Sequence, residues 1–578
     1  MTRSQAWWLS RRFRLLVAVA FAFIILATTA WLGWRVITVA SHLESARAEL
    51  SQDGDLDARL DAISANTAAA SRAASDPLWR AAESIPLIGD NLRAVRVSAD
   101  GLDFAISAVA RPIFEQVDAA DSADDARPGI LAASIPVVQD AAPVAASINN
   151  QLAAAAASPF LVAPVRDALD VIVPIFSTMD VAFETMPQLL GADGAKKYLL
   201  VFQNNAESLP LGGSAASQTL ISADNGELSI VKQANSGSFK VKPSVEVAVD
   251  QSAIDLYSNY LVSRVNTAVA RPDFQTAAQI LTAFWNRDID DTPIDGVVSI
   301  NPLVLSGVLE ATGPFKVNGI ALNSDNVVEV LLSDSYARWG SSDKEAKKAD
   351  RFFAKVAATL FKKVATGDFD PVAMMKAVAE AARTGNLLAW SNDQAIQEMI
   401  DGTRVSGVMP VDNTEQTIVG VYFFDHSGGS KIDYYMDSSV GLSRTCAGGT
   451  AAYTTSARLH LDLTQEAADA LPVYVNSKNW GPAKTRTGVY MYGPPGTKVA
   501  FAAVDGEAVR VLSTQIDDLG RPVAAFDVDL APDQTATVTA RFVGADTPAG
   551  PLAVWSTPMV NTTEVALDDA CYPNNDGS

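Results

Sequence analysis

The spacing of apolar residues changes three times along the chain. From Leu15 to Trp34 it is continuous: LLVAVAFAFIILATTAWLGW carries no charge and is closed by Arg35. From Ser41 to Gly191 apolar residues recur three and four apart, as in LDARLDAISANTAAASRAA and DALDVIVPIFSTMDVAFETM, the spacing of amphipathic helices. Prolines 77, 86, 112, 128, 136, 159, 174 and 187 are expected to cut that region into helical segments. From Lys196 short apolar runs alternate with helical stretches. Tyr198–Phe202 reads as a strand, QTLISADNGELSIVKQ as a hairpin about Asn225-Gly226, and Val297–Ile300 as a buried strand. Asn301 and Pro302 start a helix after that strand, and Gly313-Pro314 stops it. After Val411 the segments TIVGVYFFD, AAYTTSARLHLDL, GVYMYGPPGTKVAFAAV and QTATVTARFVG are short, alternating and bounded by turns. That pattern predicts a β-sandwich.

The expected architecture is therefore an α+β multidomain chain. Residues 1–14 form a cytoplasmic N-terminus and 15–36 a transmembrane helix. Residues 41–191 form an extracytoplasmic helical bundle or stalk, 196–410 a central mixed α/β sheet domain, 411–572 a β-sandwich and 573–578 a tail. Arg3, Arg11, Arg12 and Arg14 precede the apolar run, which places the N-terminus in the cytoplasm and the bulk of the chain outside the cell. Trp7 and Trp8 on one side, and Trp31 and Trp34 on the other, suit the two membrane interfaces. A cleaved signal peptide is the competing reading. Its apolar region usually runs about 7–15 residues, shorter than this one.

Charge and cysteine content narrow the chemistry. Lys and Arg total 44 against 66 Asp and Glu, a net charge of −22. So acidic a chain is not expected to bind nucleic acid, which needs a basic face. Cys446 and Cys571 are the two cysteines, and with His42, His426 and His460 they lack the spacing of a zinc site. In a chain exported past its anchor they are expected to form one disulfide.

No Walker A, GxSxG or GxGxxG motif occurs. His426 reads as a turn residue and His460 as a surface residue or cross-strand partner. The informative stretch is QNNAE, just past the carboxyl end of a strand, where open α/β sheets place ligands. Asn204, Asn205 and Glu207 form a candidate polar or Mg²⁺ site, since Mg²⁺ prefers oxygen ligands. Arg264, Asn266, Arg271 and Lys240 are candidate contacts for a phosphate or lipid pyrophosphate, because guanidinium forks match phosphate geometry.

YLLVFQNNAE, the following Gly pair, ISADNGELSI, RPDFQTAAQILTAFW and IDGVVSINPLVLSGVLEATGPFKV together resemble an uncharacterised bacterial family. That family carries only a domain-of-unknown-function label, and its members look like single-pass envelope proteins. The family commonly has Arg between QNNAE and the Gly pair, where this chain has Ser208-Leu209-Pro210. A remoter resemblance is to the LytR-CpsA-Psr phosphotransferases. It rests on the order of Tyr198–Glu207, Gln218–Gln233, Arg264-Val265-Asn266 and Ile294–Gly313. It implies a mixed sheet flanked by helices and a membrane-anchored protein that binds or transfers a polyprenyl-pyrophosphate-linked glycopolymer. Mg²⁺ and cell-wall polymer would be its partners. The alternative is a non-catalytic envelope scaffold or protein-binding module.

Overall fold

The structure, a computed structural model, describes residues 31, 34–49, 56–113, 115, 129–339, 342–426, 428–472, 475–476, 484–511, 516–545 and 550–571. The expected cytoplasmic segment, nearly all of the expected span over 15–36 and the tail lie outside these residues. The chain divides into two compact units. One holds the helices up to Ala195 with the hairpin tip Asp224–Glu227, and the other holds Lys196–Ala223 and Leu228–Ser578.

The helical unit contains α1 (residues 34–49), α2 (Leu56–Ala74), α3 (Pro77–Ala82), α4 (Gly89–Phe104), α5 (Ile130–Ala156) and α6 (Ala163–Leu189). Pro77 occupies the first turn of α3, where its missing N–H costs nothing, and Asp76 caps that helix. Pro136, Pro174 and Pro187, expected as breaks, instead lie inside α5 and α6, as does Pro143. Each removes one helical hydrogen bond. The cost is offset by the packing of both helices, whose Ile148, Leu152, Leu169 and Phe176 share a core with Val97 of α4. Among the described residues α5 is the one helix long and apolar enough to cross a membrane, and part of it is buried in this bundle.

The second unit starts with a five-stranded mixed sheet in the order β3-β2-β1-β4-β7. Its strands are β1 (Lys196–Asn204), β2 (Ser214–Asp224), β3 (Glu227–Asn235), β4 (Gly296–Ile300) and β7 (Leu388–Ser391). Asn225 and Gly226 both have positive φ, which a two-residue type I′ hairpin requires. β1 runs antiparallel to β2 and parallel to β4, so the carboxyl ends of β1 and β4 share one edge. Helix α7 (Phe274–Asp288) packs on one face of the sheet. On the other lie α8 (Pro302–Thr312), a small β5 (Phe315–Val317)–β6 (Ile320–Leu322) hairpin and α9 (Asp343–Thr366), with α10 (Pro371–Thr384) behind α8. Asn301 accepts from Leu303 N and Val304 N, and so caps α8 as its sequence predicts.

The remaining strands form two facing sheets. One has six strands in the order β13-β12-β16-β10-β9-β18, using β9 (Met436–Ala447), β10 (Thr450–Leu461), β12 (Lys498–Val504), β13 (Glu507–Ala508), β16 (Thr535–Ala545) and β18 (Glu564–Asp569). The other has five in the order β14-β15-β11-β8-β17, using β8 (Thr417–Asp425), β11 (Thr485–Tyr492), β14 (Asp517–Asp518), β15 (Arg521–Leu530) and β17 (Leu552–Ser556). Both are mixed, because β17 and β18 run parallel to β8 and β9. Every residue of β8 is buried. Val419, Val421 and Phe423 enter the core shared by the two facing sheets. Ile418, Tyr422 and Phe424 enter a second core with α7 and the β1–β4 sheet. The boundary that the sequence places at 410/411 is thus crossed by a continuous apolar core.

A buried ion cluster reinforces that junction. Arg271 donates to Asp518 at 2.6 and 3.2 Å, to Asp250 at 2.7 Å and to Asp273 at 3.1 Å. Asp518 also accepts from Tyr492 and Ser252. Burial works against the Arg271 charge, but these carboxylates raise its pKa above the ordinary arginine value. Removing one partner of a buried pair leaves the other uncompensated. Arg271→Leu is therefore expected to destabilise this unit by about 3–5 kcal/mol in chemical denaturation. A loss below about 1 kcal/mol would show that the cluster is not a structural clamp.

Cys446 and Cys571 form a disulfide with Cα atoms 5.4 Å apart. It fastens the chain after β18 to β9, beside the Arg444–Asp569 ion pair. The closed loop is long, with a sequence separation of 125. Loss of such a bridge typically costs about 2–5 kcal/mol. Non-reducing peptide mapping should recover the linked pair, and reduction should expose residues 552–571 to protease. Unchanged cleavage after reduction would mean that hydrogen bonding alone holds β18.

Candidate functional site

The carboxyl edge shared by β1 and β4 opens into a cavity of about 510 Å³. A register shift between Phe202 and Gln203 interrupts the β1–β2 pairing at this edge. The chain then folds back through residues 205–213 into β2, closed by Glu207 N–H to Asn204 O and Ser214 N–H to Glu207 O. Gly212 and Gly213 are needed for that return. A Cβ on Gly212, at φ +132°, would lie 2.3 Å from Gln203 Oε1, and one on Gly213 would lie 2.1 Å from Asn204 O. The Gly pair serves close packing of the loop against β1.

The loop is anchored by the two-sheet region. Ser208 donates to Asp433 through both its N–H and its hydroxyl. Asp425 N–H donates to Ser208 O at 2.8 Å, and Thr557 donates to Pro210 O at 3.3 Å. Asn205 donates to Pro558 O at 2.6 Å. Lys431 pairs with Glu207 and lies 5.3 Å from the centre of the Tyr336 ring, whose hydroxyl accepts from Asn204.

The cavity wall divides by chemistry. Phe202, Leu305, Leu331, Leu332, Phe353, Val356 and Ala357 form an apolar part, contributed by β1, α8, the turn before Tyr336 and α9. Gln203, Asn204, Ser217, Gln218, Thr219, Gln233, Asn235 and Asn266 form a polar part. The charged lining residues are Arg351, Lys431 and Glu207, two cations against one carboxylate. Gln203 and Gln218 are almost fully buried. The Gln203 Nε2 and both amide atoms of Gln218 have no hydrogen-bond partner among the described residues. Buried amides without partners are costly, so their place in a cavity wall favours a polar group that completes them.

The sequence-predicted residues divide accordingly. Asn204, Glu207 and Asn266 line the cavity, Asn266 also donating to Ser214. Asn205 is fully buried beside it and turned to the two-sheet region. Arg264 is not among the lining residues; it is exposed, with its guanidinium 4.6 Å from the centre of the Tyr260 ring. Arg271 is neutralised by its three carboxylates, which corrects its expected role at a phosphate. Lys240 is mostly exposed and stands 4.0 Å from Asp288. The expected oxygen site for Mg²⁺ does not fit the donors present. Its one carboxylate, Glu207, is paired with the Lys431 ammonium, and the Asn204 side-chain oxygen accepts from Ala206 N–H. Among the described residues no group of three His, Cys, Asp or Glu is arranged to hold a metal. His460 bonds Thr535 across the β10–β16 register, and burial lowers the pKa of His426 near Gly488.

Lys431 and Arg351 were not legible as site residues. Lys431 lies 224 positions from Glu207, after a Gly428-Gly429 turn, and nothing local marks it. Arg351 sits in a helix with several other cations, where a solvated face is the ordinary reading.

Residues 193–336 match the model of a family described as Protein of unknown function (DUF4012). The expected domain-of-unknown-function family is therefore present over the stretch from β1 to Tyr336, which supplies most of the cavity wall. No curated protein matches the chain. Among solved structures, the X-ray structure of Lin1025 protein from Listeria innocua aligns at 14% identity with a TM-score of 0.21, over 39% of this chain and 85% of that one. A likeness that slight carries no argument about fold.

Asp433 gives the site a pH signature. Burial pushes its carboxyl up to about 6, nearby Glu207 adds to the rise, and the two Ser208 donors oppose it. A carboxyl raised in the folded state binds its proton more tightly folded than unfolded. Stability therefore falls as pH climbs from about 4 to about 6. Asp433→Asn keeps an acceptor for Ser208 and lacks this titration. Between pH 4 and 6.5 the stability difference between the two proteins should move in the variant's favour by up to about 3 kcal/mol. Thermal melts across that window measure it, and a constant difference would rule out Asp433 as the titrating group.

Proposed function

We propose that this is a membrane-anchored protein of the cell envelope that holds a lipid-linked, anionic ligand, of the polyprenyl phosphate or pyrophosphate glycan class, in the cavity at the β1–β4 edge. The observation that carries this reading is the division of one cavity wall into an apolar part and a polar part with an excess cation. The apolar part suits a prenyl chain. Arg351 suits a phosphate, and the unpartnered amides of Gln203 and Gln218 suit a sugar or phosphate oxygen. The uncharged run after four arginines supports a single-pass anchor over 15–36 with the N-terminus in the cytoplasm. The Cys446–Cys571 disulfide supports an oxidising location for the rest of the chain. On this reading the two facing sheets are a β-sandwich, and the β1–β4 layer is a relative of the LytR-CpsA-Psr fold.

Holding is favoured over transferring. Glu207 and Ser208, the reactive side chains of the loop, are engaged by Lys431 and Asp433. A scaffold that retains a lipid-linked polymer, with no group transfer, is therefore the form of the proposal we adopt.

The test is binding of polyprenyl phosphate to the purified full chain, read by native mass spectrometry and titration. Loss of a charge-assisted contact costs about 1.5–3 kcal/mol, so Arg351→Ala, at an exposed position, should weaken binding roughly ten- to a hundredfold. Ala357→Trp should block the apolar part, and Arg264→Ala should leave affinity unchanged. Equal affinity in all three variants, with the fold intact by circular dichroism, would overturn the assignment of the cavity.

A further inference from the structure

The helical unit carries an exposed apolar tip. Ile85, Leu87 and Ile88, in the turn between α3 and α4, are 44% to 64% exposed. Phe160 and Val162, between α5 and α6, are 52% and 55% exposed. Such residues are usually scattered singly over a surface. Here they are held together. Asn91 donates to Leu87 O at 3.1 Å and to Phe160 O at 3.0 Å, and it accepts from Val162 N–H at 2.8 Å. Ser158 donates to Asp90 at 2.7 Å. Leu87 has φ +71°, a region that non-glycine residues seldom occupy. The two turns are thus fastened to each other with large apolar side chains held in the open.

The direction of the neighbouring helices says what meets this tip. Arg35 of α1 pairs with Asp76 at 3.1 Å, while His42 bonds Asn66, so the chain rises along the end of α2 as it runs back from α1 toward residue 31. Trp31 packs against the cluster of Trp79, Ala82 and Leu92. Asp100 of α4 is level with the Arg35–Asp76 pair, since it accepts from both Ser71 and Ser75. Ser64 meets Ser107 and Thr67 meets Asp103, so α4 rises in the same direction as its residue numbers fall. Ile88 lies twelve positions before Asp100. At 1.5 Å per residue that is about 18 Å further on, on the side toward which α1 runs back to residue 31.

We infer that this tip is a membrane-docking surface that enters the interface of the bilayer in which the 15–36 segment is anchored. The inference rests on the proposed anchor, and it goes beyond it by making the helical unit a second membrane contact. An anchor alone leaves the unit free to pivot, whereas two further insertion points beside it fix the tilt of the unit on the membrane.

Both native cysteines are in the disulfide, so single reporter cysteines can be introduced. Leu87→Cys, Phe160→Cys, Phe23→Cys within the anchor and Glu184→Cys on an exposed position far along α6 would each carry an environment-sensitive fluorophore. The full chain would be reconstituted in phosphatidylcholine–phosphatidylglycerol vesicles containing spin-labelled lipid. The expected result is a blue shift and loss of emission at residues 23, 87 and 160, with no change at 184. Quenching at 23 but not at 87 or 160 would overturn the tip proposal and leave the anchor standing. Quenching at 87 and 160 without 23 would support the tip and overturn the anchor. Absence of quenching at all three would overturn both. A blue shift at 87 and 160 without lipid quenching would assign the tip to a protein partner or a second copy and overturn membrane docking.

Discussion

A sheet covered on both faces over most of its length imposes the strictest constraint on this chain. β8, β11 and β15 send alternate side chains into two separate cores. Val489 and Met491 of β11 face the partner sheet, while Tyr490 and Tyr492 face α7 and the β1–β4 layer. Where both faces are covered, as along β8, the sequence reads as a nearly continuous apolar run. The two tyrosines nonetheless keep partners for their hydroxyls, in Leu256 O and in Tyr257 with Asp518. Displacing the α/β layer would expose one complete face of this sheet together with those buried polar groups. The two regions therefore belong to one compact unit.

That junction determines what the QNNAE turn can do. A loop past the end of a strand is ordinarily the mobile, ligand-facing part of an α/β layer. Here its backbone and side chains are taken up by Asp433, Asp425, Pro558 and Thr557 of the neighbouring sheets. The exchange runs both ways, because the two-sheet region places Lys431 in the cavity wall. No Arg follows QNNAE in this chain, and a cation reaches that end of the cavity from more than two hundred residues downstream.

Local features were the legible ones. The Asn225-Gly226 hairpin, the Asn301 cap with Pro302, the stop at Gly313 and the polar edge after β1 each depend on a few adjacent residues whose backbone preferences decide the outcome. What escaped was long-range. Arg271 looks like a phosphate ligand until Asp518, 247 positions away, is seen to hold it. The prolines of α5 and α6 look like breaks because sequence shows the lost hydrogen bond and not the packing that compensates for it. Alternation in TIVGVYFFD predicts one buried face, and only the second core explains why the other face is buried too.

The same geometry constrains any chemistry at the cavity. A nucleophile needs a base within reach and freedom to approach its substrate. Ser208 has a carboxylate beside it, but it is fully buried, donates to Asp433 and does not line the cavity. Glu207 lines the cavity but is paired with the Lys431 ammonium. The groups left to meet a ligand are amides, hydroxyls and the Arg351 guanidinium, which orient and bind. An arrangement that commits its acids to internal partners while leaving amides unpaired is better matched to retention than to turnover.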